Sequence, residues 1–216
     1  LKEAAQLCAA RGTVLANEGK AVEAAHKFRL ALHIGKLTGD TPCLIASLVE
    51  CAINALITRS IESVLRQRPM DGALRQEIRN LMADFSEPID PIPPLDGELF
   101  FTSHCTLHPE EVVYSGVGDL PFPSKLPGVV RAWQSRAFAS CLRRKREMVM
   151  MNHDPVRGVG IMRDSAPTDS QGLSYYLVNV LEPVYSQFGF ALVRDVVHRD
   201  LRVCTLVVLD ERQKTG

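Results

Sequence analysis

Aromatic side chains are scarce in this sequence. They make up 6% of 216 residues, and Trp133 is the single tryptophan. β-Sandwich cores draw on aromatic and β-branched residues, so this scarcity, beside many Ala, Leu and Arg, points to helices instead. Charge of one sign is lacking too: 25 Lys and Arg balance 25 Asp and Glu. No overall field would draw the chain to nucleic acid or to an anionic membrane. The cysteines Cys8, Cys43, Cys51, Cys105, Cys141 and Cys204 form no CxxC pair, and they are sparser than in a disulfide-built secreted domain. Most are set among apolar neighbours and read as small hydrophobes, which favours a reducing, cytoplasmic compartment. No run of about 18 apolar residues offers a bilayer span, and no signal peptide is visible. The chain starts at Leu1 rather than Met and so reads as a piece of a longer or processed protein, whose localisation these absences leave open.

What is present is helical periodicity. The length suits one large or two small domains with a substantial core, and 46% hydrophobic residues with 23% charged is ordinary for a globular chain. KEAAQLCAARGTVLANEG is alanine-rich and stops at Gly19. KAVEAAHKFRLALHIGKLTGD follows, with Val22, Ala25, Phe28 or Arg29, and Leu32 on one face. Thr41 as N-cap and Pro42 as first residue open a third helix. Its broad stripe runs through Leu44/Ile45, Leu48/Val49, Ala52/Ile53, Leu56/Ile57, Ile61 and Val64/Leu65. Asp71 caps a fourth, carrying Leu74, Ile78, Leu81, Met82 and Phe85.

Composition then shifts. SEPIDPIPPLDG is rich in proline, which argues against a helix and for an extended connector. SGVGDLPFPSKLPG is a second irregular stretch, with room for short helices between them. A helix resumes at Val129, passes Trp133, Ala137, Cys141 and Leu142, and ends near HDPVRG. The last long helix starts near Leu173 and follows Tyr176/Leu177, Val180/Leu181, Val184/Tyr185, Phe188, Leu192, Val196 and Val203. Pro183 implies a kink there or two separate helices. LRVCTLVVLD could pass for a strand, but it continues the helical pattern and is read as helix. The expected architecture is all-α: antiparallel helical hairpins over 1–86, a Pro-rich irregular connector with short helices over 87–128, and a helical segment over 129–216 packed with the first as one domain.

The first forty residues resemble a tetratricopeptide repeat (TPR). Counted from Ala5, Gly12, Gly19, Ala24, Phe28 and Ala31 fall at that motif's small and aromatic positions. The small residues let two helices approach, and Phe28 fills the space between them. Cys8, Arg11 and Lys36 stand where the motif has Trp, Leu and Pro, and no second copy follows in register. More widely, EGKAVEAAHKF, PCLIASLVECAINAL and LVNVLEPVY resemble an uncharacterised family of bacterial helical proteins. In that family the last helix often runs on to a Gly-x-x-Pro ending, whereas this chain stops at KTG, which reads as a boundary inside a longer protein. The resemblance implies a helical fold and brings no assigned reaction.

The densest chemistry is SHCTLHPEEV. His104 and His108 stand four apart, a spacing that puts two imidazoles on one helical face, as zinc sites use. Pro109, however, biases His108 away from helical angles. A new helix beginning there, with Thr106 or His108 as cap and Glu110 and Glu111 as first-turn acids, separates the histidines. RRKR, Arg143–Arg146, backed by Arg131 and Arg136, is the one dense basic run. It lacks interleaved aromatics and, wound on a helix, points to all sides. RGVG and SGVGD complete no phosphate loop, and no GxSxG elbow occurs. His153 and Asp154 sit at a helix end, while His26, His33 and His198 are isolated.

These readings make a non-catalytic scaffold or protein-interaction module the leading expectation, offering a peptide or another protein a helical surface. No catalytic, cofactor or metal residues are assigned, and no cofactor or nucleic-acid partner is expected. The alternatives are a metal-dependent enzyme using His104 and His108, or weak nucleic-acid binding through Arg143–Arg146.

Overall fold

The computed structural model describes residues 1–107 and 176–215, with isolated helical positions at 128, 132, 136, 139, 140, 143 and 146. Among the described residues the fold is all-α, with no strand: α1 (Lys2–Asn17), α2 (Ala21–Gly39), α3 (Leu44–Gln67), α4 (Gly72–Asp84), α5 (Ile92–Leu107) and α6 (Tyr176–Thr215). The chain forms two compact units. One comprises Leu1–Thr41, Ile45–Ile89 and Ala191–Gly216; the other comprises Pro42–Leu44 and Asp90–Phe190.

In the first unit, α1 stops because Gly19 adopts a left-handed φ of 81°. Its N–H donates to the Ala16 carbonyl, and the Lys20 N–H donates to that of Leu15. This is a Schellman closure, which needs a residue that carries no Cβ penalty at positive φ. The guanidinium of Arg68, beyond the end of α3, donates to the Ala16 and Asn17 carbonyls at 2.7 and 3.1 Å. Arg68 also pairs with Asp71 at 3.2 Å, and Asp71 accepts from Leu74 N–H to cap α4, as its position in the sequence implies. One arginine thus ties the end of α1 to the start of α4.

After the Gly19 turn α2 folds back on α1. The fully buried Phe28 ring lies so close to Gly12 that an added Cβ would sit 2.9 Å from it. Ala24, Phe28 and Ala31 are all buried. Val22, expected on the same face, is 67% exposed. The core is completed by Ile53, Ile57, Ile61, Val64 and Leu65 of α3, and by Leu74, Ile78, Leu81 and Met82 of α4. Burying each such side chain contributes about 1.5–3 kcal/mol. Among the described residues α3 is the one helix long and apolar enough by length and composition to cross a membrane, a test that a core helix also passes. Its apolar side is instead a wall of this core.

In the second unit two expectations are corrected. First, α3 begins at Leu44, beyond Thr41 and Pro42, and the Leu44 N–H is taken at 3.1 Å by Glu98 of α5. A side chain 54 positions away supplies the cap that Thr41 was expected to give. Second, the proline-rich stretch opens α5. The first helical hydrogen bond runs from Leu95 N–H to the Pro91 carbonyl, and Asp90 accepts from Ile92 N–H at 2.9 Å. Of the four N–H groups that a helix start leaves without a partner, Pro91, Pro93 and Pro94 have none to satisfy. Prolines that would break a helix interior are harmless here.

α6 runs unbroken through Pro183, so the two-helix alternative is not the one that forms. LRVCTLVVLD lies within it and is helical.

Candidate functional site

The sequence-predicted chemistry does not assemble among the described residues. His104, on α5, is exposed, and its ring stacks on Phe100 with centroids 6.2 Å apart and planes 8° from parallel. His108, Pro109 and the two glutamates lie outside the described residues, so the question of two converging imidazoles does too. Of the basic run, Arg143 and the neighbouring Arg136 are exposed, while Arg146 pairs with Asp96 at 2.6 Å. Arg131, Arg144, Lys145, His153 and Asp154 fall outside the described residues, as do both glycine loops. Among the described residues, no group of three or more His, Cys, Asp or Glu could hold a metal ion. His33 packs edge-on against Phe85 at 5.0 Å, and the His198 carbonyl accepts from Arg202.

What the structure does assemble lies along the last part of α6, where charged residues share the buried face and apolar residues line part of the exposed one. Its inward face carries Ala191, Leu192, Asp195, Arg202 and Leu206, all buried. Two of the five are charged. Asp195 pairs with Arg199 at 2.8 Å, and Arg199 also donates to the Ser86 carbonyl. Arg202 donates to the His198 carbonyl and lies 3.4 Å from the Met82 sulfur. Burial lowers the Arg202 pKa, an effect opposed by Asp195. Further along, Asp210 takes the fully buried Arg75 and also Arg79, both of α4. Arg75 donates as well to the Pro69 carbonyl. A buried charge left without a partner is very costly, so this network holds α6 at one rotation about its axis.

The outward face carries an apolar line among charged and polar residues. Val197 is 45% exposed, Leu201 54% and Val208 52%, with exposed Cys204 between them. Their spacings of four, three and four residues draw one stripe along the helix, opposite Asp195 and Arg202. Val203, expected to be buried, is 50% exposed and lies, with Val207 at 56%, to one side of that line.

Comparison with family models, with curated proteins and with solved structures finds no match to this chain. The resemblances to a tetratricopeptide repeat and to a bacterial helical family therefore rest on its residues alone.

A second feature, also missed in the sequence, is an acidic cluster where α2, α3 and α6 meet. The Glu50 carboxylate lies against Gly39, the last residue of α2, where any Cβ would collide with it. Burial, reinforced by the nearby negative charges of Asp195 and Asp40, pushes Glu50 up to about 7. Burial and the same acidic surroundings push the neighbouring Cys51 thiol up to about 12, so it stays protonated and unreactive. Glu50 can therefore take up or release a proton near neutrality. In the second unit burial also raises the Glu98 pKa, opposed by the Leu44 N–H it accepts. No signal in the sequence marks Glu50, because its burial and the negative charge of Asp195 arise only when α6 meets the α2–α3 junction.

Proposed function

We propose that this protein is a non-catalytic helical interaction module that receives another polypeptide on the outward face of α6. One observation carries the reading: Val197, Leu201, Cys204 and Val208 form an exposed apolar stripe on a helix whose inward face holds Asp195, Arg199 and Arg202. The apolar residues cannot turn inward without breaking the contact of Arg199 with the Ser86 carbonyl and the pairs of Asp210 with Arg75 and Arg79. An apolar helical stripe fixed towards solvent is the kind of surface that takes up a second helix.

The test places a photo-crosslinking amino acid at Leu201, with the exposed position Gln76 of α4 as control. A discrete protein adduct from position 201 in cells, absent from position 76, supports the module. No adduct, or equal adducts from both positions, overturns it.

A further inference from the structure

Resting on the module reading, we infer that the occupant of this stripe is a second copy of the same chain, docked antiparallel through α6. The four residues are flanked by Arg194 on one side and Glu211 on the other, both exposed, with exposed Phe190 beyond Arg194. Arg194 precedes Val197 by three residues and Glu211 follows Val208 by three, so both charges continue the apolar line. Along it the residues read Arg194, Val197, Leu201, Cys204, Val208, Glu211. Reversed, the positions keep the same spacing: three, four, three, four, three.

That palindromic spacing makes the face self-complementary about a two-fold axis passing between Arg202 and Val203. Arg194 meets Glu211 of the second copy, Val197 meets Val208, and Leu201 meets Cys204; the axis repeats each pair. This is the layer pattern of an antiparallel helix pair, in which two apolar layers lie at each side of the axis and an ion pair closes each end. Glu211 holds Lys214 through Oε1 at 2.7 Å, and its carboxylate has a second oxygen with which to accept Arg194. A parallel arrangement in the same register would set Arg194 against Arg194 and Glu211 against Glu211, and the like charges oppose it. The charges thus choose both the partner and its direction.

The seam is about 25 Å long at 1.5 Å per residue. A single helix pair of that length covers less than the roughly 800 Å² per partner of a standard stable interface. The dimer is therefore of the small, weak class that shifts with protein concentration.

Sedimentation equilibrium of the whole chain tests this. The expected result is a monomer–dimer equilibrium that Leu201→Arg abolishes, with the helical circular dichroism unchanged because position 201 faces solvent. Arg194→Glu alone and Glu211→Arg alone should each weaken the dimer at least about tenfold, and the two together should restore it to within about threefold. A short bis-maleimide should join two chains through Cys204, and Cys204→Ser should remove that product. A chain that stays monomeric at about 0.5 mM, where even a Kd of about 1 mM populates dimer, overturns the proposal. So does a double charge exchange that fails to restore association. If the position-201 photo-adduct contains a different protein while the purified chain is monomeric, the self-docking proposal falls and the module reading stands.

Discussion

Arg75 on α4 and Asp210 on α6 meet at 3.2 Å across 135 positions of chain, with the arginine almost wholly buried. Replacing Asp210 with Asn removes the carboxylate that both the buried Arg75 and Arg79 reach. The expected loss is about 3 kcal/mol, read from urea unfolding midpoints. Arg75→Met removes the charge together with its need for a partner and should cost less. The opposite order would show that the pair is held for net attraction.

Glu50 makes stability depend on pH near neutrality. Its carboxyl has a folded-state pKa of about 7 against an ordinary 4.5. The folded state thus holds its proton where the unfolded state has released it. The resulting stabilisation is fully present below about pH 4.5 and is lost as pH rises through 7. Solvent reaching the partly exposed carboxyl screens the effect to about 1–2 kcal/mol. Glu50→Gln should abolish this share of the decline between pH 5 and 8, measured by thermal unfolding at fixed ionic strength. An unchanged pH profile would contradict the assignment.

Gly39 and Glu50 should be energetically coupled, since a Cβ at Gly39 would collide with the Glu50 carboxylate. Gly39→Ala is expected to destabilise the native protein by about 1–2 kcal/mol. In a Glu50→Ala background the same change should become neutral or favourable, as Ala for Gly in a helix normally is. Additivity of the two substitutions in a double-mutant cycle would rule out the contact.

The junction at Arg68 gives a third coupled set. Gly19→Ala forces a Cβ into a left-handed conformation and should cost about 1 kcal/mol. Arg68→Met should cost about 1–3 kcal/mol by leaving the Ala16 and Asn17 carbonyls without this donor. Asp71→Ala should cost about 1 kcal/mol through its cap. Because Arg68 also pairs with Asp71, the last two should fall short of additive when combined. Chemical denaturation of the four variants checks this.

Local features were legible wherever a single turn of helix carries them. Gly19 as a stop, Asp71 as a cap and the buried positions of α4 are set by neighbours within four residues. The close approach of Phe28 to Gly12 was also readable, from the run of small residues. The last helix was harder. Its periodicity shows two apolar stripes, one through Phe188 and Leu192 and one through Val197 and Leu201. Continuing the first to Val203 overlooks that Asp195 and Arg202 can lie inside once partners exist for them.

The sequence by itself determined the helical class, most helix boundaries and the apolar face of α4, because these follow from backbone chemistry and short-range spacing. Only the tertiary structure decided which side of α6 turns inward, that Glu98 rather than Thr41 caps α3, and that Glu50 titrates near neutrality. Each of these depends on a charge finding a partner, or losing water, beside a residue far along the chain. The charges on α6 look like surface residues until Arg75, Met82 and Ser86 are brought to meet them, and that meeting is what leaves its valines and leucine facing out.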